Sequence, residues 1–350
     1  MDNNSVVAAR KPFYRELRAG QRVLWCRCGR STRQPYCDGR SHEGTGLEPL
    51  KYQAERDEEV LFCGCKQTST PPFCDGAHSN LPGGYSEEEA DPAEPEVGYS
   101  EPDEAGFARL DGACYVVSPR LVDQDDPAFT CTTLVAPALG AEHQSQFHLR
   151  LSRGSSPVLV SEAGDVILWV RSGKGVVEIA GRSFPALAGS GVSIRRGETF
   201  RLECRGVPLD VYASICPGTD ALEQRAEMHD AFEHEWPDRV VGIDEESRRA
   251  MGARWFQMLV KEDHGLRNTA QFIGHIPKSR AEMHRHLYEE ALIILSGSGT
   301  IWNETSRARV NPGDVIFFPR KHVHSLQCTV DEGMDVVGLI HPGTNPGINY

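Results

Sequence analysis

Residues 26–42, CRCGRSTRQPYCDGRSH, and residues 63–78, CGCKQTSTPPFCDGAH, follow one template. Each reads Cys-x-Cys, two residues, Ser or Thr, three residues, Pro, an aromatic, Cys-Asp-Gly and then a histidine. Cysteines separated by one residue point the same way on an extended chain, so both thiolates can face one ion. The proline sets the return of the third cysteine, and Asp-Gly supports a second tight turn. Three thiolates with one imidazole suit zinc or an iron–sulfur cluster, and spacing alone leaves both open. Each unit is too small to bury a core alone, so the copies should pack as a pseudo-symmetric pair.

The template resembles that of the CDGSH iron–sulfur family, over residues 11 to 80 or so. The resemblance implies two [2Fe–2S] clusters, one held by Cys63, Cys65, Cys74 and His78, the other by Cys26, Cys28, Cys37 and His42. The second copy matches throughout. In the first, Arg40 is inserted, so His42 lies five residues after Cys37 instead of four. A histidine ligand would make such a cluster sensitive to acid, because the imidazole must be neutral to bind metal.

The 350 residues carry a formal net charge of −13, and the acid is concentrated. Residues 85–106, YSEEEADPAEPEVGYSEPDEAG, hold nine acidic residues and no basic one, which reads as a solvated linker. No basic stripe interleaved with aromatics argues for nucleic acid. No apolar run is long enough to span a bilayer, and the N-terminus lacks a secretory h-region, so the expected location is cytoplasmic. The five remaining cysteines (114, 131, 204, 216 and 328) have no partner spacing and read as buried thiols.

From residue 107 the texture changes to short strands punctuated by Gly and Pro. Residues 164–204 and 289–328 share one rhythm, with Gly173 matching Gly297, Gly189 matching Gly313 and Gly197 matching Lys321. This is an internal duplication, and the fold class is mainly β. The chain divides into a tandem metal-binding unit (1–84), the acidic linker (85–106), a first barrel (107–218), a connector (219–253) and a second barrel (254–350). The connector segment 219–236, polar on most of its circumference, is expected to be helical.

The second copy carries the chemistry. His284, His286 and Glu290 share even parity and project to one face of an extended strand, and His324 could close the site from across the barrel. The spacing is similar to that of the cupin family, with two departures: nine residues separate Gly274 from His284, and Lys321 stands where the second motif has glycine. The resemblance implies two double-stranded β-helix barrels, the second holding one divalent metal by His284, His286, Glu290 and His324. At the matching positions the first copy has Val160, Glu162, Val166 and Phe200, which cannot hold a metal. Glu289, of opposite parity, should face solvent or a neighbouring element, and His322 should sit on the rim.

Such ligands suit Fe(II), Mn, Ni, Co or Zn, and neighbouring clusters favour Fe(II). The expected function is an oxidoreductase, a non-haem Fe(II) cupin oxygenase receiving electrons from the two clusters and acting on a small molecule. An external reductase or other electron donor is implied, without membrane or nucleic-acid partners, and a homo-oligomer is left open. The alternatives are a non-enzymatic redox or iron sensor, and a cupin dioxygenase whose clusters are regulatory or structural.

Overall fold

The structure is a computed structural model that describes residues 5–82, 87–88, 97–111, 113–119, 127–343 and 345–350. It is mainly β, and among the described residues the helices are short 3-10 turns, none long and apolar enough to cross a membrane.

In the N-terminal unit the strand Phe13–Leu17 pairs antiparallel with Glu58–Phe62, and Arg22–Trp25 pairs with Leu50–Gln53. Each Cys-x-Cys loop leaves the end of one such strand, immediately after a buried aromatic, Trp25 or Phe62. The two copies repeat each other's backbone contacts. Cys26 N–H donates to Pro35 O and Cys63 N–H to Pro72 O, while Cys37 and Cys74 N–H donate to Leu24 O and Leu61 O. The copies share one small core of Leu17, Trp25, Ala54, Val60 and Phe62, and Trp25 Nε1 donates to Cys63 O in the other copy at 3.2 Å. Neither copy encloses that core by itself.

Behind this unit lie two barrels with separate cores and a third apolar layer between them. The parity of single strands explains the layering. Along Glu289–Ile294, Leu292 and Ile294 enter the second barrel's core, while Ala291 and Ile293 join the layer facing the first barrel. Along Asp165–Ile179, Val166, Leu168 and Val170 are interior, whereas Ile167 and Trp169 enter the shared layer. Strands covered on both faces read as continuous apolar runs.

Four expectations need correction. The segment 219–236 is not helical: Glu223–Arg225 pairs with Val158–Val160, and the following chain lies extended over the first barrel. Phe232 enters that barrel's core and stacks on Phe184, and the buried Arg239 pairs with buried Glu198, so tertiary burial overrides a weak local preference.

The stretch 85–106 is not a free spacer over its described part. Glu87–Glu88 pairs with Ser279–Ala281 and Gly98–Tyr99 with Ser306–Val310, both on the second barrel; residues 85–86 and 89–96 lie outside the described residues. Other strands cross the expected boundaries too. Tyr115–Val117 pairs with Val315–Phe318 of the second barrel, and Val240–Gly242 with Ser190–Ile194 of the first. Unpaired edges are covered this way, so sheet membership does not follow the boundary at 107. Lastly, Cys131 is exposed and Cys204 partly so, not buried.

Candidate metal centres

In the N-terminal unit the eight expected ligands form four pairs. Cys26 and Cys28 Sγ lie 3.7 Å apart, and Cys63 and Cys65 3.5 Å. Cys37 Sγ is 3.4 Å from His42 Nδ1, and Cys74 Sγ is 3.4 Å from His78 Nδ1. The inserted Arg40 therefore does not remove His42 from its cysteine. The aspartate of each motif absorbs the difference: Asp38 accepts from the N–H of Arg40 and of Ser41, while Asp75 accepts from Ala77 N–H.

Two sulfurs bound about 2.3 Å from one tetrahedral ion stand roughly 3.7 Å apart. Among the described residues no third donor closes on any pair. Two ligands per iron on a two-iron cluster fit that arrangement, whereas a single zinc would need all four donors of a unit around one point. The hydrogen bond from Cys65 pulls Cys63 down to about 6 against its burial and pushes Cys65 up. Burial pushes Cys74 up to about 12 and holds the His78 imidazole neutral. Lys66 is buried beside this loop, donating to Cys63 O at 2.9 Å with its ammonium 4.6 Å from the Trp25 ring centroid.

The second barrel gathers His284, His286, Glu290 and His324 at one cavity of ≈ 90 Å³. His284 and His324 face each other across an antiparallel bridge, N–H to O at 3.0 and 2.9 Å. Each imidazole is oriented in the same way. His284 Nδ1 donates to Glu282 O, His286 Nδ1 to Tyr288 O and His324 Nδ1 to His322 O, at 2.7, 2.7 and 2.9 Å. A carbonyl can only accept, so Nδ1 carries a proton in each ring, and a neutral ring held this way turns a bare Nε2 lone pair to the cavity. His286 Nε2 is buried without a hydrogen bond, 3.3 Å from Glu290 Oε2. Burial drives His284 down to about 3 and His324 well below the usual histidine range, so both stay neutral. The neutral imidazoles of His284 and His324, with His286 and one carboxylate, fit a divalent ion, which would have to draw them into a closed shell, since among the described residues no three donors converge.

Trp255, Phe256, Phe272, Phe318, Leu326 and Val336 wall the cavity, with Arg254, His275, Tyr288 and Asn349 as its other polar groups. Motif spacing gave no sign of Arg254, His275 or Tyr288; only the fold brings them here. Glu289 is buried and accepts from the N–H groups of Glu142, His143 and Gln144 in the first barrel at 2.8–3.1 Å, so it anchors one barrel to the other. His322 pairs with Asp111.

In the first barrel the register differs by one from the sequence alignment. Gly197 N–H donates to Ser161 O as Lys321 N–H does to His286 O, and Leu159 pairs with Phe200 as His284 does with His324. The counterparts of His284 and His286 are therefore Leu159 and Ser161, not Val160 and Glu162. Leu159, Val166 and Phe200 are core residues, and Glu162 pairs with Arg225 at the surface.

The N-terminal unit docks on the mouth of the second barrel. Asn345 Nδ2 donates to Asp75 O at 2.9 Å, and Asn80 Nδ2 to Ala250 O at 3.0 Å. Glu59 pairs with Arg320 and Lys321, and Tyr14 stacks on Tyr350 at 5.3 Å between centroids. A cavity of ≈ 370 Å³ between the parts is lined by both Cys74 and Tyr288. Tyr288 OH donates to Pro346 O at 2.7 Å, and its ring lies parallel to that of His286, 3.9 Å between centroids.

Residues 274–340 match the family model described as cupin domain. CDGSH iron-sulfur domain-containing protein 3, mitochondrial, is 55% identical to this chain over 53 residues in its Homo sapiens form, and 54% identical over 52 residues in its Mus musculus form. These matches are consistent with a fusion of a CDGSH-like unit and a cupin domain. The CDGSH matches cover 15% and 14% of the fusion and 41% and 37% of those proteins, so the fusion spans about two fifths of the length of the curated relatives it matches. Two solved structures share the cupin part of the fold. Ylba from E. coli has a TM-score of 0.50 at 16% identity, over 69% of the fusion and 95% of that chain. A variant of Bacillus subtilis oxalate decarboxylase OxdC has a TM-score of 0.51 at 13% identity, over 72% and 80%. At such identities the likeness concerns the fold alone.

Proposed function

We propose that this fusion is a metal-dependent oxidoreductase, in which two [2Fe–2S] clusters on the N-terminal unit pass electrons to a non-haem Fe(II) cupin site acting on a small molecule. When bound, these groups supply single electrons and an open coordination position for dioxygen and substrate. The observation that carries the reading is the docking of the second ligand loop on the barrel mouth. From Cys74 and Asp75 the contacts run through Asn345 and Pro346 to Tyr288, whose ring lies against His286.

The chain's own groups have defined tasks. His284, His286 and His324 present Nε2 to the cavity, Glu290 supplies negative charge, and the aromatic walls exclude water. A cavity of ≈ 90 Å³ is far smaller than the ~300–1,000 Å³ of pockets for drug-sized ligands, so the substrate has few heavy atoms. Arg254 and Asn349 offer it polar contacts.

A single-turnover experiment tests this. The protein is reduced, excess reductant is removed, oxygen and small candidate substrates are added, and cluster reoxidation is followed by visible absorbance. Reoxidation should slow at least tenfold in His286→Ala with the cluster spectrum intact before oxygen is added. Equal rates would mean that the clusters do not serve the cupin site, and the sensor reading would replace this one.

A further inference from the structure

The two ligand loops share a backbone but not a surface. In the first copy Arg27, Arg30, Arg33 and Arg40 lie between or beside the ligands, and all four are exposed. At the matching places the second copy has Gly64, Gln67 and Thr70, and nothing in place of Arg40, which is the inserted residue itself. The fold of the motif therefore does not need these arginines. None of the four guanidinium groups forms an ion pair with a described carboxylate, although the whole chain carries a net charge of −13.

Burial divides the loops in the same sense. Cys74 and His78 are 8% and 5% exposed where the loop meets the second barrel, while Cys37 and His42 are both more open. One ligand set thus faces the barrel, while Cys37 and His42 of the other lie nearer the surface, in a loop that carries four exposed arginines and where Glu48 comes within 3.7 Å of His42.

We propose that the first ligand loop, through its four exposed arginines, is the docking surface for an acidic one-electron carrier protein, which reduces the first cluster. The proposal names the donor required by the function proposed above and rests on its assignment of clusters to these ligands. Charge complementarity picks the partner. Four exposed guanidinium groups on an otherwise acidic protein would steer an acidic carrier to this face and repel a basic one. With an oxidised cluster held by Cys26, Cys28, Cys37 and His42, the carrier would lose one electron and the cluster would accept it. No bond is made or broken.

The test uses the cluster-loaded full chain and a reduced, acidic plant-type ferredoxin as the probe. Binding is measured by titration, and cluster reduction by stopped-flow absorbance, at low and at roughly physiological ionic strength. Affinity and reduction rate should fall severalfold as salt rises, because the charges are exposed and screened. Combined reversal, Arg27→Glu, Arg30→Glu, Arg33→Glu and Arg40→Glu, should lower both at least tenfold and remove the salt dependence. Reversing the exposed Arg153, Lys174 and Arg205 of the first barrel to Glu should change neither beyond twofold. If charge reversal disturbs the cluster spectrum, the neutral set of four Arg→Gln changes, which imitates Gln67 of the second loop, should still lower affinity severalfold.

Three results would overturn the proposal: unchanged affinity and rate in the reversed or neutral sets, equal affinity for a basic carrier such as a cytochrome c, or binding that appears only after the acidic residues of 85–104 are neutralised. The last would make the chain's own acidic stretch the occupant. Rapid reduction by the ferredoxin without later oxidation through His286 would leave this docking face standing and sink only the delivery of electrons to the cupin site.

Discussion

Lys321 occupies a backbone position suited to glycine. Its φ of 64° is left-handed, and its counterpart Gly197 sits at 81°. A non-glycine residue there costs about 1 kcal/mol. The side chain instead reaches Glu59 on the N-terminal unit, while the backbone N–H holds His286 O at 2.8 Å. The departure from the cupin motif is thus a docking contact. Lys321→Gly is expected to leave barrel stability equal or up to about 1 kcal/mol higher, yet to raise hydrogen exchange across 58–62. Unchanged exchange would remove Lys321 from the docking.

Burial raises the Glu59 carboxyl, but Lys321, Tyr14 and Arg320 outweigh it and hold the group below its ordinary value. Its folded value lies below the unfolded one, so its stabilisation is complete above roughly pH 4.3 and fades as pH falls through the folded value. Docking should therefore loosen in acid below about pH 4. Glu59→Gln should flatten that part of the profile, as followed by Tyr350 or Trp fluorescence.

Among the elements, the strand Glu289–Ile294 is instructive because both faces are buried. Glu290 points into the second barrel while Glu289 points out of it and accepts three backbone N–H groups of the first. Removing that acceptor leaves the buried Gln144 N–H and two part-buried N–H groups unsatisfied, and a fully buried donor costs about 1–3 kcal/mol. Glu289→Ala should destabilise the barrel pair by roughly 2–4 kcal/mol in urea melts, and Glu289→Gln, which keeps one acceptor oxygen, by less. In the first barrel Phe200 fills the place of His324 as a fully buried core residue. Phe200→Ala should cost about 3–5 kcal/mol and leave bound metal unchanged. His324→Ala should reverse that pattern, losing metal at a smaller stability cost. Loss of metal in Phe200→Ala would show that the first barrel contributes to the site.

Across the whole molecule, docking makes two similar ligand sets unequal. Cys37 and His42 are partly open, whereas Cys74 and His78 are covered by the second barrel. Iron release to a chelator should be biphasic, with the first set emptying first. Breaking the Glu59 contacts should speed only the slower phase. A single phase, or equal acceleration of both, would mean that the covering has no such effect. Tyr288→Phe removes the hydrogen bond to Pro346 but keeps the ring against His286, and Tyr288→Ala removes both. Cluster reoxidation should slow modestly in the first variant and strongly in the second, with metal content as the control.

Local chemistry was legible in the residues themselves. The short spacing Cys-x-Cys keeps its two sulfurs together in both copies, although residues 27–29 and 64–66 bend where an extended run was expected. The glycine rhythm exposed the duplication because tight turns demand particular backbone angles, and Gly173 and Gly297 do sit at φ 95° and 76°. What the residues could not disclose depended on partners distant in the chain. Residues 219–236 look helical alone but lie extended, because Phe232 gains more by entering a finished core. The one-residue difference between Val160 and Leu159 arises in pairing with the strand that carries Phe200, which no local pattern reports. Glu289, Lys321 and Tyr288 acquire their roles only when three separately coded units pack together. Spacing within a strand is set by covalent geometry, whereas the face a barrel turns toward its neighbour is set by the surface that neighbour leaves to be buried.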